Sequence, residues 1–174
     1  AQNWKALVTD EWHPLQNRSI HGQYPPGSTY KIVTALAGLE EGVIKPDTSV
    51  FCPGHFRLGS GRYRCWKKSG HGSMNLHDAL VQSCDVYFYT IGHRLGIDTI
   101  AKYAKRFGLG RSTRLGLSRE KKGLVPTTQW KLLNKKEPWQ LGETISAAIG
   151  QGFNLVTPIQ QLVLIAAVAN GGIL

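Results

Sequence analysis

The chain has 174 residues, 41% hydrophobic and 18% charged, which is enough for one domain with a real core and excludes a disordered or low-complexity segment. Its most apolar stretch, residues 162–169, is far too short to span a bilayer, and residues 1–10, with Lys5 and Asp10, do not read as a signal peptide. The net charge of +10 suits polyanions, but the basic residues (Lys67-Lys68, Arg111, Arg114, Lys121-Lys122, Lys135-Lys136) are scattered, as on a solvated surface, not gathered in one arm.

In chain order, the residues before Tyr24 read as short turns and extended pieces. Tyr24-Pro25-Pro26-Gly27 then closes that segment and prepares a helix start. From Ser28 the pattern turns helical, with an apolar stripe of Ile32, Val33, Ala35, Leu36 and Leu39 and a cap at Gly42. Residues 50–66, with Gly54, Gly59 and Gly61, predict a small hairpin or irregular lobe. Asn75 and Asp78 form a capping pair for a helix running to about Ser83. A further helix follows Asp85 and ends at Gly96, and Asp98 is expected to cap another that stops at Gly108. Thr157-Pro158 with Gln160 starts a long apolar helix that Asn170-Gly171-Gly172 ends. The pattern is mostly helical, strand candidates are few, and the five tryptophans are expected in the core and in cleft walls.

Ser28-Thr29-Tyr30-Lys31 has the form Ser-x-x-Lys, which on a helix puts both side chains on one face, so that the amine can reach the hydroxyl. A serine hydroxyl is a weak nucleophile until a base takes its proton, and a lysine serves as that base only when neutral. The pattern recurs at Ser118-Arg119-Glu120-Lys121, a polar, charged stretch that reads as a surface turn. Ser28 instead opens an apolar helix behind a rigid turn, where backbone amides favour a developing negative charge.

Cys52, Cys65, His71 and Cys84 are separated by 12, 5 and 12 residues. Three thiolates and an imidazole can make a closed tetrahedral zinc site. A Cys52–Cys65 disulfide, with Cys84 as a small buried hydrophobe, explains the same cysteines in an oxidising compartment. His13, His21, His55, His77 and His93 have no such company and read as surface or satisfied core histidines.

Several segments resemble one family. Tyr24-Pro25-Pro26-Gly27-Ser28-Thr29-Tyr30-Lys31 resembles the active-site segment of class B penicillin-binding proteins. Leu80-Val81-Gln82-Ser83-Cys84-Asp85 sits where that family has its second motif, Ser-x-Asn. Gly150-Gln151-Gly152 with Thr157-Pro158-Ile159-Gln160 resembles the loop and helix before its third motif. Arg64-Cys65-Trp66-Lys67-Lys68 with Gly70-His71-Gly72 resembles the elongation transpeptidases of the penicillin-binding protein 2 group. The resemblance runs from about Pro14 to Leu174. Asp85 stands where the motif has Asn, a variation found within that group, and an ionised Asp85 would favour the charged form of Lys31. Ser73-Met74-Asn75 also fits Ser-x-Asn but precedes its helix, so it reads as capping chemistry.

The resemblance implies a mixed α/β serine-transpeptidase fold, related to serine β-lactamases, with mainly the helical lobe in this chain. The third motif, Lys-Thr-Gly on a strand past the Gly-Gly turn, is not in the sequence, so residues 1–174 are expected to be a partial transpeptidase domain without its third motif, anchor or pedestal. Ser28 is the implied nucleophile and Lys31 its base, with Ser83 protonating the leaving group and Asp85 positioning Lys31. The implied substrates are D-Ala-D-Ala stem peptides of peptidoglycan, with β-lactams acylating Ser28 as mimics. The implied setting is the periplasmic face of the inner membrane, with cell-elongation membrane proteins as partners, no organic cofactor and no nucleic acid. Some group members hold zinc near the active site with Asp, His and Cys; Cys52, Cys65, His71 and Cys84 fall on those places, with Cys at two positions where those members have Asp. Two rival expectations are a D,D-carboxypeptidase or β-lactamase-type hydrolase, which passes the acyl group to water, and a zinc-stabilised basic module that binds nucleic acid.

Overall fold

The computed structural model describes residues 2–116 and 119–174. Two short helices, α1 (Gln2–Thr9) and α2 (Arg18–His21), stand where turns and extended pieces were expected. Asn17 caps α2 by accepting from the Ser19 amide. A single 3-10 turn (Gly27–Tyr30) leads into α3 (Lys31–Glu40). The α-helix therefore starts three residues later than the sequence pattern suggests, and Gly42 follows its end at a positive φ of 68°.

The glycine-rich segment forms two antiparallel ribbons. The outer pair is β1 (Val50–Cys52) with β4 (Gly72–Met74), and between them β2 (His55–Leu58) and β3 (Gly61–Arg64) make a hairpin. Five helices follow: α4 (Leu76–Val81), α5 (Asp85–Leu95), α6 (Ile97–Arg106), α7 (Thr128–Lys135) and α8 (Leu141–Ala147). The last helix, α9 (Pro158–Ala169), starts with the expected capping box between Thr157 and Gln160. Asn75 caps α4 as expected, accepting from the Asp78 amide. Asp98 does not cap α6: Gly96 holds that position, and the Asp98 carboxylate accepts instead from the amide and hydroxyl of Thr128, tying α6 to α7.

Helix α5 lies at the centre, packed against α3, α6, α8 and β1. Its sequence is apolar around most of its circumference, and Val86, Tyr87, Phe88, Tyr89, Ile91 and Leu95 are all buried, as befits a central helix. Gly92 permits the approach of α8's end, since a Cβ there would stand 2.3 Å from that of Ala148. None of the five tryptophans enters this core: Trp4, Trp12 and Trp66 are exposed, and Trp130 and Trp139 are half-buried against Phe153. Aliphatic residues and tyrosines fill the interior instead. The fold is mixed α/β and mainly helical, with the two ribbons as its β part.

Candidate active site

Ser28 sits in the middle of the 3-10 turn and is exposed, while Lys31 begins α3 and is buried to 1%. In a 3-10 turn residues three apart eclipse one another, so serine and lysine share a face. The turn is pinned from far along the chain. The Gly27 amide donates to the Gly150 carbonyl at 3.0 Å, and the Thr34 hydroxyl donates to the Ala148 carbonyl at 2.7 Å. Tyr24 and Val156 pair as an isolated bridge. Gly150, at φ 73°, is required at this crossing because a Cβ there would stand 2.3 Å from the Gly27 carbonyl oxygen.

Ser83 and Asp85 arrive from the junction of α4 and α5. The Ser83 amide donates to the Leu80 carbonyl and the Cys84 amide to that of Ala79, the paired bonds of a Schellman helix end. The residue between such bonds adopts a left-handed backbone and is usually glycine. Here it is Ser83, at φ 52°. A serine in that region costs about 1–2 kcal/mol, a sign that its hydroxyl is needed there.

The four residues meet. Lys31 Nζ donates to Ser83 Oγ at 2.8 Å, to the Ser83 carbonyl at 2.9 Å and to Asp85 Oδ1 at 2.6 Å. Ser83 Oγ in turn lies 3.0 Å from Ser28 Oγ. The amine thus reaches the nucleophile through the Ser83 hydroxyl, which corrects the expectation of a direct Ser28–Lys31 bond. Asp85 and Ser83 occupy all three donors of the ammonium and leave none for Ser28. The ring of Phe88 lies 5.6 Å from Nζ and closes off the apolar side. Ser118, the serine of the second Ser-x-x-Lys, lies outside the described residues.

Trp66 is a site residue that the sequence pattern does not single out. Its amide donates to Asp85 Oδ2 at 3.0 Å, and its indole Nε1 to the carbonyls of Gln82 and Ser83, both at 3.1 Å. An exposed indole is therefore fastened to the second motif. Its ring also meets His71 edge-on, with centroids 5.2 Å apart. The available signal was adjacency, because Trp66 follows Cys65 directly.

Behind this wall the three cysteines are free and buried. Ligand atoms of Cys52, Cys65, His71 and Cys84 all lie within 4.8 Å of one another. His71 Nδ1 is 3.5 Å from Cys52 Sγ and 3.6 Å from Cys65 Sγ. Those spacings match the edge of about 3.6 Å that tetrahedral zinc–nitrogen and zinc–sulfur bonds require. Burial pushes the Cys84 thiol up to about 12, so without a cation it stays protonated. Burial, with the Lys67 charge, holds His71 below its ordinary value and keeps the imidazole neutral. Three thiols gathered around a neutral imidazole in a buried pocket fit a zinc ion and leave no position for water. The ligands come from the end of β1, the residue after β3, the residue before β4 and the residue before Asp85.

Over residues 1–174 the sequence matches the family described as the penicillin binding protein transpeptidase domain. It is 44% identical over 173 residues to the peptidoglycan D,D-transpeptidase MrdA of Acinetobacter baumannii, covering 98% of this chain and 26% of that protein. It is 40% identical over 175 residues to MrdA of Escherichia coli, covering 99% of this chain and 28% of that protein. The chain thus spans about a quarter of the length of these curated relatives. The crystal structure of Pseudomonas aeruginosa PBP2 in complex with WCK 5153 superposes with a TM-score of 0.94 at 40% identity, covering 97% of this chain and 37% of that one. Helicobacter pylori PBP2 in its complex with MreC superposes with a TM-score of 0.93 at 38% identity, covering 98% of this chain and 32% of that one.

Proposed function

The chain belongs to the penicillin-binding protein transpeptidase family, and from that premise we propose that it is the nucleophile-bearing part of a peptidoglycan D,D-transpeptidase of the PBP2 kind. The observation that carries the reading is the unbroken hydrogen-bonded line from Asp85 through Lys31 and Ser83 to Ser28. Ser28 Oγ attacks the carbonyl of the penultimate D-alanine of a stem peptide. As that bond forms, the Ser28 proton passes to Ser83 Oγ while Ser83 gives its own to Lys31. The step starts from the neutral amine of Lys31, and Asp85, 2.6 Å from Nζ, stabilises the ammonium that forms. Collapse of the tetrahedral intermediate breaks the D-Ala-D-Ala amide, and the departing amine takes a proton back from Ser83. The acyl-serine then passes to an amine of a second stem peptide. β-Lactams enter the same path as mimics of the dipeptide.

Cys52, Cys65, His71 and Cys84 would hold zinc, which supplies a structural cross-link and no reacting position. It would fix the turn that carries Ser83 and Asp85 from behind. By likeness to its relatives, the protein works at the periplasmic face of the inner membrane and assembles with cell-elongation membrane proteins. The MreC complex of Helicobacter pylori PBP2 supports that partner class.

Mass spectrometry of the full-length protein after incubation with a penicillin tests the reading. The expected result is one adduct on the peptide containing Ser28, absent from Ser28→Ala. Labelling elsewhere, or none, overturns the proposal. With a stem peptide and an amine acceptor the expected product is the cross-linked dimer; release of free acid alone points to the hydrolase instead.

A further inference from the structure

The ribbon segment carries charge that the relay does not use. From Thr48 to His77 there is no aspartate or glutamate, yet the stretch holds Arg57, Arg62, Arg64, Lys67 and Lys68. On the hairpin, Arg57 stands directly opposite Arg62, and His55 opposite Arg64. Like charges facing one another across an antiparallel pair destabilise it. Arg57 Nε reaches His55 Nε2 at 3.4 Å and Arg62 Nη2 reaches His55 Nδ1 at 3.5 Å. A neutral imidazole has one acceptor nitrogen and a protonated one has none, so His55 cannot serve both guanidiniums. Among the described residues no carboxylate pairs with any of these arginines, nor with Lys68. A cavity of about 300 Å³ opens beside them, lined by Gly54, Arg62, Arg64, Cys65 and Lys68.

We propose that this cavity binds a carboxylate of the peptidoglycan stem peptide, through Arg62, Arg64 and Lys68. The proposal rests on the transpeptidase reading and extends it from the scissile bond to the rest of the substrate. Two features favour a peptide carboxylate. Three cations line the cavity, which suits an anion, and guanidiniums hold a carboxylate by paired hydrogen bonds. Two of the cavity's lining residues, Arg64 and Cys65, immediately precede Trp66, whose amide holds Asp85. Two residues of chain span at most about 7 Å. On this proposal a stem peptide extending from Ser28 past Trp66 places a carboxylate among these unpaired cations.

The test uses the full-length protein and two soluble stem peptides, one with free side-chain carboxylates and one with them amidated. For Arg62→Gln/Arg64→Gln/Lys68→Gln, KM for the free-carboxylate peptide is expected to rise roughly tenfold, with kcat changed little. The amidated peptide is expected to be used equally by variant and parent, and Arg62→Lys/Arg64→Lys, which keeps the charge but not the paired hydrogen bonds, to show a smaller loss than the glutamine variant. Equal KM for the free peptide in variant and parent overturns the proposal. So does an equal loss for both peptides, or a change confined to binding of anionic-lipid vesicles. Penicillin labelling of Ser28 in the parent protein separates the two readings: labelling with no change in KM sinks this site alone, whereas no labelling sinks the transpeptidase reading beneath it.

Discussion

The two walls that meet at Ser28 are built by different physics. On one side α3, α5 and α8 form an apolar cradle in which Val33, Phe88, Ile91 and Ile145 are wholly buried, with the cation Lys31 drawn inside. On the other side the ribbons of residues 50–74 are short and basic: Cys52, Cys65 and Met74 are buried, His71 is half-buried, and Val50, Phe56, Leu58 and Tyr63 are only partly covered where they pack against the core. The cradle can hold its shape by burying hydrocarbon alone. The ribbons bury less hydrocarbon than the cradle; an isolated hairpin is marginal in water, and the proposed zinc on its four ligands would supplement their packing. Ser83 and Asp85 belong to the seam between the walls, so the relay depends on both.

Removing the proposed zinc is expected to break the comparison most sharply. Binding at such sites is worth roughly 10–16 kcal/mol in small zinc-finger peptides. Chelation, or Cys52→Ser, should therefore expose residues 50–74 to hydrogen exchange while α3 and α5 stay protected. Elemental analysis of undenatured, unchelated protein should give close to one zinc per chain, and a ratio near zero would remove the premise.

Next in size is Lys31→Met, which tests the cradle. Losing the amine strands Asp85, whose side chain is only 13% exposed, and breaking a buried pair from one side costs about 3–5 kcal/mol. The melting temperature should fall, and acylation by penicillin should slow by roughly 10²–10⁴-fold, the usual contribution of a positioned base. If acylation persists at the parent rate, Lys31 is not the proton acceptor.

Trp66→Phe probes the seam. It removes the indole bonds to Gln82 and Ser83 but keeps the backbone bond to Asp85. The expected cost is about 1 kcal/mol in stability, with acylation slowed several-fold. No change in either would mean that the indole only covers the wall.

The smallest effect belongs to the cradle's outer rim. Hydrogen bonds from Lys102 and Tyr103, with the Lys102 and Arg106 charges, hold the Glu41 carboxyl below its ordinary 4.5. Because the folded value lies below the unfolded one, the contribution is present above about pH 4.5 and fades as the pH falls through the lowered value. Glu41→Gln should flatten the acid limb of the stability curve slightly, as chemical denaturation at pH 3 to 5 would show. Its position at the solvent-exposed surface keeps the effect small.

Much of this was legible in the sequence where local chemistry decides the outcome. The Pro-Pro-Gly turn, the Asn75 cap, the Thr157–Gln160 box and the ends of α5 and α9 follow from residues within a turn of one another. The family resemblance carried the rest of the reading at the site. Where long-range contacts decide, the pattern falls short. Asp98 looks like a cap but serves Thr128, thirty residues away. The Ser-x-x-Lys spacing suggests a direct bond, yet Asp85 and Ser83, more than fifty residues on, take the amine's donors. Helices α1 and α7 bury no apolar side chain among the described residues, so no core contact marks them, and the tryptophans stay outside because tyrosines and aliphatics already fill the space around α5.

The crossing of Gly27 and Gly150 has a consequence in time. Their hydrogen bond closes a loop of more than a hundred residues, an entropic cost met only once the intervening helices have packed. Ser28's turn gains this clamp late in folding, after α5 and α8 have docked. A chain that has not finished folding therefore carries Ser28 without the hydrogen-bonded geometry that the folded site gives it.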